Sequence, residues 1–473
     1  MESGLAARHG GRIGLCALIA VLLLGLGLRV GEAWDGRAPV YDAQAYAAIA
    51  GNLEGGDGFT VGPGATQPSS NYSPGLPLFV AGIYKVSDGV HEQLARIVLT
   101  LIGTLSVLFA YLIALRLGRI QRTLKKGPYG GSNSASAEFV PALIGALVVA
   151  IYPALLEYQG MLMSEPLAAT LLSGGVLGVL WAWDGGRWRW LLPGALFGAL
   201  ALTRPEYLAI AGLVALVVFA REARGDWGRS LARAAIFLLG LVVIVAPWTI
   251  RNAAALDRFV PISTGGGQVL FAGTYLPSDG DPEKVGAEVV AENPDLFQSQ
   301  DAQRLRLEQI LDRLAANRYP GMETDQALSK LGKEQLWDDV SEEPVEYAGF
   351  VATKVWRIWS HGPREVMREP IWEVLHWLLV AFGLAGLAIL AWQRRWEALL
   401  IGTIFLAITA VSALLVASPR RVLVLVPLLA ALASVSLAWL AGRIQRPLNS
   451  SPQGGRKSAD AEFDHSPDSL GAP

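Results

Sequence analysis

The chain reads as a succession of long apolar runs separated by polar loops of very unequal length. Runs able to cross a bilayer core, which takes about 20 residues of helix, lie at roughly 13–30, 93–115, 139–156, 166–183, 232–250, 372–392, 397–417 and 421–441. The stretch 188–220 holds two shorter runs broken by Thr203-Arg204-Pro205-Glu206. It reads as a helical hairpin with that tetrapeptide at its tip, Pro205 falling in the first turn of the second helix, where a missing N–H does no harm. The pattern therefore predicts an all-α polytopic membrane protein with about ten spans. Two long polar segments interrupt it, 31–92 and 251–368, and the second has helical periodicity of its own at 301–317 and 325–339.

Composition narrows the class. Of 473 residues, 52% are hydrophobic and 17% charged, against about 25% charged in soluble domains; a soluble enzyme and a disordered scaffold are excluded. The single cysteine, Cys16, lies in the first apolar run and rules out a disulfide framework or a cysteine zinc site. His9, His91, His361, His376 and His465 lack metal-ligand spacing. No cofactor and no metal ligand set is indicated, and a divalent-ion requirement stays open.

The net charge of −2 argues against a nucleic-acid partner, but the sum hides a polarised molecule. Segment 31–92 carries 2 basic and 7 acidic residues, and 251–368 carries 13 and 19. Short loops on the N-terminal side hold Arg116, Arg119, Arg122, Lys125, Lys126, Arg187, Arg189, Arg221, Arg229, Arg233, Arg394 and Arg395. By the positive-inside rule this side is cytoplasmic, with both termini, in a plasma or inner membrane. A signal peptide competes for 1–33, but no convincing small-residue cleavage site follows, so an uncleaved anchor is expected. The organisation is an N-terminal membrane module (1–250) with an outer loop at 31–92, an extracytoplasmic cap (251–368), a C-terminal membrane module (369–442) and a disordered tail (443–473) rich in Ser, Pro, Gly and Asp.

Chemistry concentrates on the outer side. Tyr46, Ile49, Ala50 and Leu53 recur at helical spacing, which predicts an amphipathic surface helix over 42–53. Asp42, at its first turn, is either a capping carboxylate or a general base where a lipid substrate meets a polar acceptor. The run 76–84 is too short to span and reads as an interfacial or re-entrant helix ending at Lys85. In Met163-Ser164-Glu165-Pro166, Ser164 suits a cap, and Glu165 is a carboxylate entering an apolar helix, where ionisable groups are costly and mark functional interiors. Arg204 and Glu206 form either a local ion pair or part of a site. Arg251 and Asn252 close a helix, where Arg251 complements its dipole or faces the site. Arg420 and Arg421 run against the charge bias; they are headgroup anchors or partners for phosphate. Ser263-Thr264-Gly265-Gly266-Gly267 lacks the Walker lysine, so no nucleotide is expected there. Lys354, Trp356, Arg357 and Trp359 form an aromatic–basic stripe expected to anchor at an interface.

Several of these motifs occur together in a known order. Tyr41-Asp42-Ala43-Gln44-Ala45-Tyr46, Gly56-Asp57-Gly58-Phe59 and Tyr72-Ser73-Pro74-Gly75-Leu76-Pro77 are followed by Met163-Ser164-Glu165-Pro166-Leu167, Leu202-Thr203-Arg204-Pro205-Glu206, Pro247-Trp248-Thr249-Ile250-Arg251-Asn252 and a terminal Pro419-Arg420-Arg421. The set resembles bacterial GT-C glycosyltransferases, in particular the family 39 type that includes protein O-mannosyltransferases and the lipid A aminoarabinose transferase. The resemblance implies a cell-envelope enzyme that transfers a sugar, with inversion, from a polyprenyl-phosphate donor to a protein, lipid or glycan acceptor at the extracytoplasmic face. It implies catalytic roles for Asp42 and Glu165 and a donor-phosphate contact at Arg420 or Arg421. Arg251 and Lys85 are further phosphate candidates; Tyr72, Arg204 and Asn252 are supporting ones. Two departures stand out. Arg421-Val422 replaces the usual Tyr-Arg pair, and Tyr72-Ser73-Pro74-Gly75 replaces the Lys-Pro-Pro of aminoarabinose enzymes, which argues against lipid A as acceptor. The rival reading is a lipid-linked-sugar flippase, for which mid-helix charges and repeated halves are expected and not seen.

Overall fold

The structure is a computed structural model that describes residues 2–36, 42–62, 65–125, 136–223, 225–279, 281, 283–297 and 305–448. Tyr41, the first residues of the helix expected at 301–317 and the tail beyond Leu448 lie outside the described residues. Among the described residues the chain is helical, without a strand. The N-terminal part comprises α1 (Glu2–Trp34), α2 (Asp42–Gly55), α3 (Gly75–Val86), α4 (Glu92–Lys125), α5 (Ser136–Ile151), α6 (Pro153–Gly160), α7 (Ser164–Ala182), α8 (Leu191–Thr203), α9 (Glu206–Glu222) and α10 (Trp227–Leu256). A further segment, termed outer after its expected location, follows with α11 (Gly266–Thr274), α12 (Val285–Glu292), α13 (Leu307–Arg318), α14 (Thr324–Glu342) and α15 (Pro344–Ser360). The chain ends with α16 (Pro370–Trp392), α17 (Trp396–Leu414), α18 (Arg420–Leu423) and α19 (Val426–Leu448).

Among the described residues seven helices are long and apolar enough to cross a membrane, in α1, α4, α7, α10, α16, α17 and α19. They match seven of the expected runs, and the chain is a multi-pass membrane protein. The eighth run, at 139–156, is broken: α5 and α6 meet at a 42° bend. The expected hairpin is present as α8 and α9, but with 13 and 17 residues these helices are only about 20 and 26 Å long. The ten spans expected are therefore seven full-length helices, one broken pair and a shorter hairpin. The last span starts at Val426 rather than 421, because Pro427 has no N–H to offer the Leu423 carbonyl and α18 ends there.

The break in α5 is made good from α1. Pro153 cannot donate to the carbonyl of Val149, four residues back. Arg29, 1% exposed, takes its place: Nη2 donates to Val149 O at 3.0 Å, and Nη1 to Ala150 O and Gly25 O, both at 3.1 Å. A charge inside an apolar bundle is tolerated here because three carbonyl dipoles face it.

Ion pairs segregate to the two ends of the bundle. At one end Arg116 meets Asp184, Arg221 and Arg233 meet Glu222, and Arg395 meets Glu397; Arg221 also lies within electrostatic reach of Arg116, Asp184, Arg395 and Glu397. The loops after α4, α7, α9 and α16 thus share one side, as the charge parity requires. At the other end Arg420, Arg204 and Arg421 gather loop one with the turns before α7, α9 and α18.

The outer segment has its own apolar core, in which Phe271, Val285, Val289, Leu311, Leu314 and Leu328 pack together. The glycines at 265–267 start α11 and let it lie directly on α14: a Cβ on Gly267 would sit 1.8 Å from Asp325 O, and its N–H donates to Asp325 Oδ1 at 2.8 Å. They serve helix packing. On α15, Trp356 is exposed as expected, but Lys354 faces inward, in register with buried Phe350 and Ile358. Its Nζ donates to Gly273 O at 2.5 Å and Ala413 O at 2.6 Å, joining the outer core to the end of α17.

Two predictions follow from these buried cations. Arg29→Leu should lower stability by on the order of 3 kcal/mol, since each buried carbonyl left bare costs about 1–3 kcal/mol. Pro153→Ala, which restores the missing N–H, should recover part of the loss in the double variant; a strictly additive pair of melting shifts would refute the link. Lys354 is pushed down to about 7 by burial, with the charge of Arg421 acting in the same direction, from an ordinary 10.5. Between those values the unfolded chain holds the extra proton, so stability rises with pH. Thermal melts should shift upward from about pH 7 to about pH 9, and Lys354→Met should flatten the rise; identical slopes would contradict this.

Candidate functional site

Four separate elements deliver the outer charged cluster. Asp42 is the first residue of α2, held against the bundle by Ala43, Tyr46, Ile49 and Ala50, which are buried at the predicted helical spacing. Glu165 is the second residue of α7. Met163 is the extended residue before that helix, so Ser164 is not its cap; it makes no capping hydrogen bond and is buried. The turn before it is strained: Leu162 has φ +53° and is buried, a left-handed conformation that costs a non-glycine residue about 1–2 kcal/mol. Arg204 stands between α8 and α9, with Pro205 immediately before α9 rather than inside its first turn. Arg420 and Arg421 open α18.

Arg420 is the hub. Its Nε donates to Glu165 Oε1 at 2.6 Å and its Nη1 to Asp42 Oδ2 at 3.0 Å. Its guanidinium lies 5.7 Å from the centre of the Tyr158 ring. Glu165 Oε1 accepts a second bond, from Arg204 Nη1 at 3.3 Å, while Arg204 Nε donates to Glu206 Oε1 at 3.0 Å. Arg421 Nε lies 3.8 Å from the same Glu206 oxygen, and its Nη1 donates to Val416 O. Three carboxylates and three guanidiniums thus balance. Exposure grades across them: the Glu165 side chain is fully buried, whereas Arg420 is 29% and Asp42 40% exposed. Glu165 Oε2 is buried without a hydrogen-bond partner. Burial works against the charge of Arg420, yet Glu165 and then Asp42 more than offset it and hold its pKa above the ordinary value. Burial, reinforced by Asp42 and Glu165, raises Tyr46.

Loop one is fitted to this cluster by close contacts. A Cβ on Gly75 would lie 2.5 Å from Thr203 Oγ1, so only glycine lets the start of α3 seat beside Arg204. The Tyr72 ring meets Tyr46 edge-on at 5.8 Å. Burial, together with the charges of Glu308 and Asp42, pushes the Tyr72 hydroxyl up to about 12. Beside it Ser70, Asn71 and Thr264 are hydrogen-bonded to one another across the two outer segments. Thr66, Gln67, Asn71, Arg258, Thr264 and Glu323 line a polar cleft of about 640 Å³ there.

The sequence-derived candidates separate accordingly. Asp42, Glu165, Arg204, Arg420 and Arg421 come together, with Tyr72 at the edge. Arg251 is elsewhere engaged: α10 continues five residues past it, so it does not complement the helix end. Its Nη1 donates to Ser69 O at 2.8 Å and its Nη2 to Phe59 O at 3.2 Å, with Trp248 beneath it. Asn252 donates to the carbonyls of Val260 and Ile262. Both residues pin outer loops. Lys85 is an exposed residue in the last turn of α3. Glu206, Tyr46 and Tyr158 were not singled out as site residues from sequence; Glu206 was legible only as a neighbour of Arg204. Among the described residues no group of three or more His, Cys, Asp or Glu side chains could hold a metal ion.

No protein-family model matches the chain, and no curated protein matches it. Solved structures do. The apo oligosaccharyltransferase of Archaeoglobus fulgidus superposes with a TM-score of 0.54 at 16% identity, over 92% of this chain and 51% of that one. The archaeal oligosaccharyltransferase AglB from the same organism, in complex with an inhibitory peptide and a dolichol-phosphate, gives 0.53 at 15% identity over 94% and 52%. ArnT from Cupriavidus metallidurans, bound to undecaprenyl phosphate, gives 0.38 at 15% over 94% and 82%. The chain thus spans about half the length of the oligosaccharyltransferase. Over nearly all of its own length the chain thus shares the fold of the membrane-embedded oligosaccharyltransferase of Archaeoglobus fulgidus.

Proposed function

We propose that this protein transfers a sugar from a polyprenyl-phosphate donor to an acceptor hydroxyl at the extracytoplasmic membrane face, with inversion at the anomeric carbon. The observation that carries the reading is Arg420 bound to both Asp42 and Glu165 at one end of a GT-C bundle. The likeness to an oligosaccharyltransferase crystallised with a dolichol-phosphate supports a lipid-phosphate donor. The gathering of the short-loop arginines at the opposite end supports cytoplasmic termini and an outer site.

The charge balance suggests how a donor engages. With three carboxylates against three guanidiniums, none of the cluster's own cations is free, among the described residues, for an incoming phosphate. Glu165 is buried and holds Arg420 through the shorter bond; Asp42 is more exposed and holds it through the longer one. A donor phosphate therefore competes for Arg420 with Asp42 rather than with Glu165. Binding the phosphate releases the Asp42 carboxylate, which then accepts the proton of the acceptor hydroxyl. The hydroxyl oxygen attacks the anomeric carbon from the face opposite the phosphate. The sugar–phosphate C–O bond breaks, its electron pair staying on the phosphate oxygen that faces Arg420. The products are the glycosylated acceptor and polyprenyl phosphate. Glu165 and Arg204 position Arg420, and the polar cleft lined by Asn71 and Thr264 is the acceptor's path.

Incubation of purified protein with radiolabelled polyprenyl-phosphate sugars and membrane extract should show sugar transfer. Asp42→Asn should reduce transfer by about 10²–10⁴-fold, the usual contribution of a general base, while donor binding is kept or tightened. Wild-type turnover in that variant would remove Asp42 from the mechanism. Movement of the donor across the bilayer without transfer would instead identify a flippase. Arg420→Lys keeps the charge but not the two-pronged grip; donor affinity should fall at least about tenfold, and unchanged affinity would place the phosphate elsewhere.

A further inference from the structure

Another concavity lies at the end of the bundle opposite the site. It is a pocket of about 410 Å³ lined by Arg187, Gly228, Arg229, Ala232 and Arg233. Its carboxylates are few: Asp226 pairs with Arg229 at 3.5 Å, and Glu222 with Arg233 and Arg221. Arg187 has no carboxylate within ion-pair distance among the described residues. Arg233 Nε is buried without a hydrogen-bond partner. Three guanidiniums thus line a cavity whose acidic neighbours leave it positive.

What surrounds the pocket distinguishes a lipid from a soluble anion. Trp188 and Trp227 flank it, 61% and 69% exposed, as tryptophans do where water meets hydrocarbon. Around the rest of α10, away from the face that carries Arg229 and Arg233, Leu231, Leu239, Val242 and Val243 are exposed, apolar residues of a membrane-spanning helix.

We infer that this pocket binds the phosphate headgroup of an anionic membrane phospholipid at the boundary marked by Trp188 and Trp227. Arginines between helices at a membrane boundary suit such headgroups. The site is independent of the transferase reading and involves none of its residues.

The test uses detergent-purified full-length protein titrated with phosphatidylglycerol, phosphatidylcholine or inorganic phosphate, read by native mass spectrometry and by thermal melting. Phosphatidylglycerol should bind and raise the melting temperature; phosphatidylcholine and inorganic phosphate at equal concentration should not. Arg187→Gln/Arg229→Gln alters exposed side chains only and should weaken phosphatidylglycerol binding at least about tenfold, with an unchanged lipid-free melt. Arg258→Gln, at the other end, should bind it like wild type. Equal binding of both lipids, equal stabilisation by inorganic phosphate, or undiminished binding in the double variant would overturn the inference.

Discussion

One guanidinium organises the outer end of this molecule. Arg420 holds the buried Glu165 and the more exposed Asp42 at once, and those carboxylates belong to elements that are otherwise separate. Removing the arginine would leave Glu165 buried with only Arg204 to face it, and buried carboxylates without partners are strongly destabilising. The arrangement around Arg420 is therefore over-determined: Leu162 is strained to present Glu165, Gly75 lets loop one approach Arg204, and Arg251 ties down the loop carbonyls of Phe59 and Ser69. A network that is charge-balanced at rest must, in the proposed reaction, exchange a partner to bind a donor phosphate, and the graded exposure from Glu165 to Asp42 is the reason Asp42 is the partner proposed to yield.

The rest of the bundle buries few charges, and two of the most buried are held by backbone carbonyls. Arg29 supplies hydrogen bonds that Pro153 withholds, and Lys354 couples the outer core to the turn preceding Arg420 through Gly273 and Ala413. That turn is reached from two sides, by the membrane helix α17 and by the outer segment. The position of Arg420 thus depends on both halves of the structure being folded against each other.

Much of this was legible in the sequence, and the misses have physical causes. Long apolar runs marked the spans because hydropathy reports lipid exposure directly, and the charge parity put the arginine-rich loops on one side. The count of ten overstated the full-length spans, since α8 and the middle of α9 are apolar yet short, and apolarity alone does not measure length against a bilayer. Asp42, Glu165 and Arg420 were legible as unusual charges at span ends. Their convergence was not, because Asp42 and Arg420 are 378 residues apart and no local pattern encodes that distance. Arg251 and Asn252 looked like site residues because polar groups at a span end suit both catalysis and loop anchoring; only the carbonyls they bind decide between them. Lys354 was misplaced at the interface for a similar reason, its neighbours Trp356 and Trp359 suggesting a surface stripe while its own helical register points inward.

In the proposed reaction a lipid phosphate takes Arg420 from Asp42 and not from Glu165. The most direct measurement is a structure of the full-length protein with polyprenyl phosphate bound in a lipid nanodisc. Phosphate oxygens are expected at hydrogen-bond distance from Arg420, with its Nε still on Glu165 and Asp42 released. A phosphate seated away from Arg420, with the Arg420–Asp42 pair intact, would contradict it.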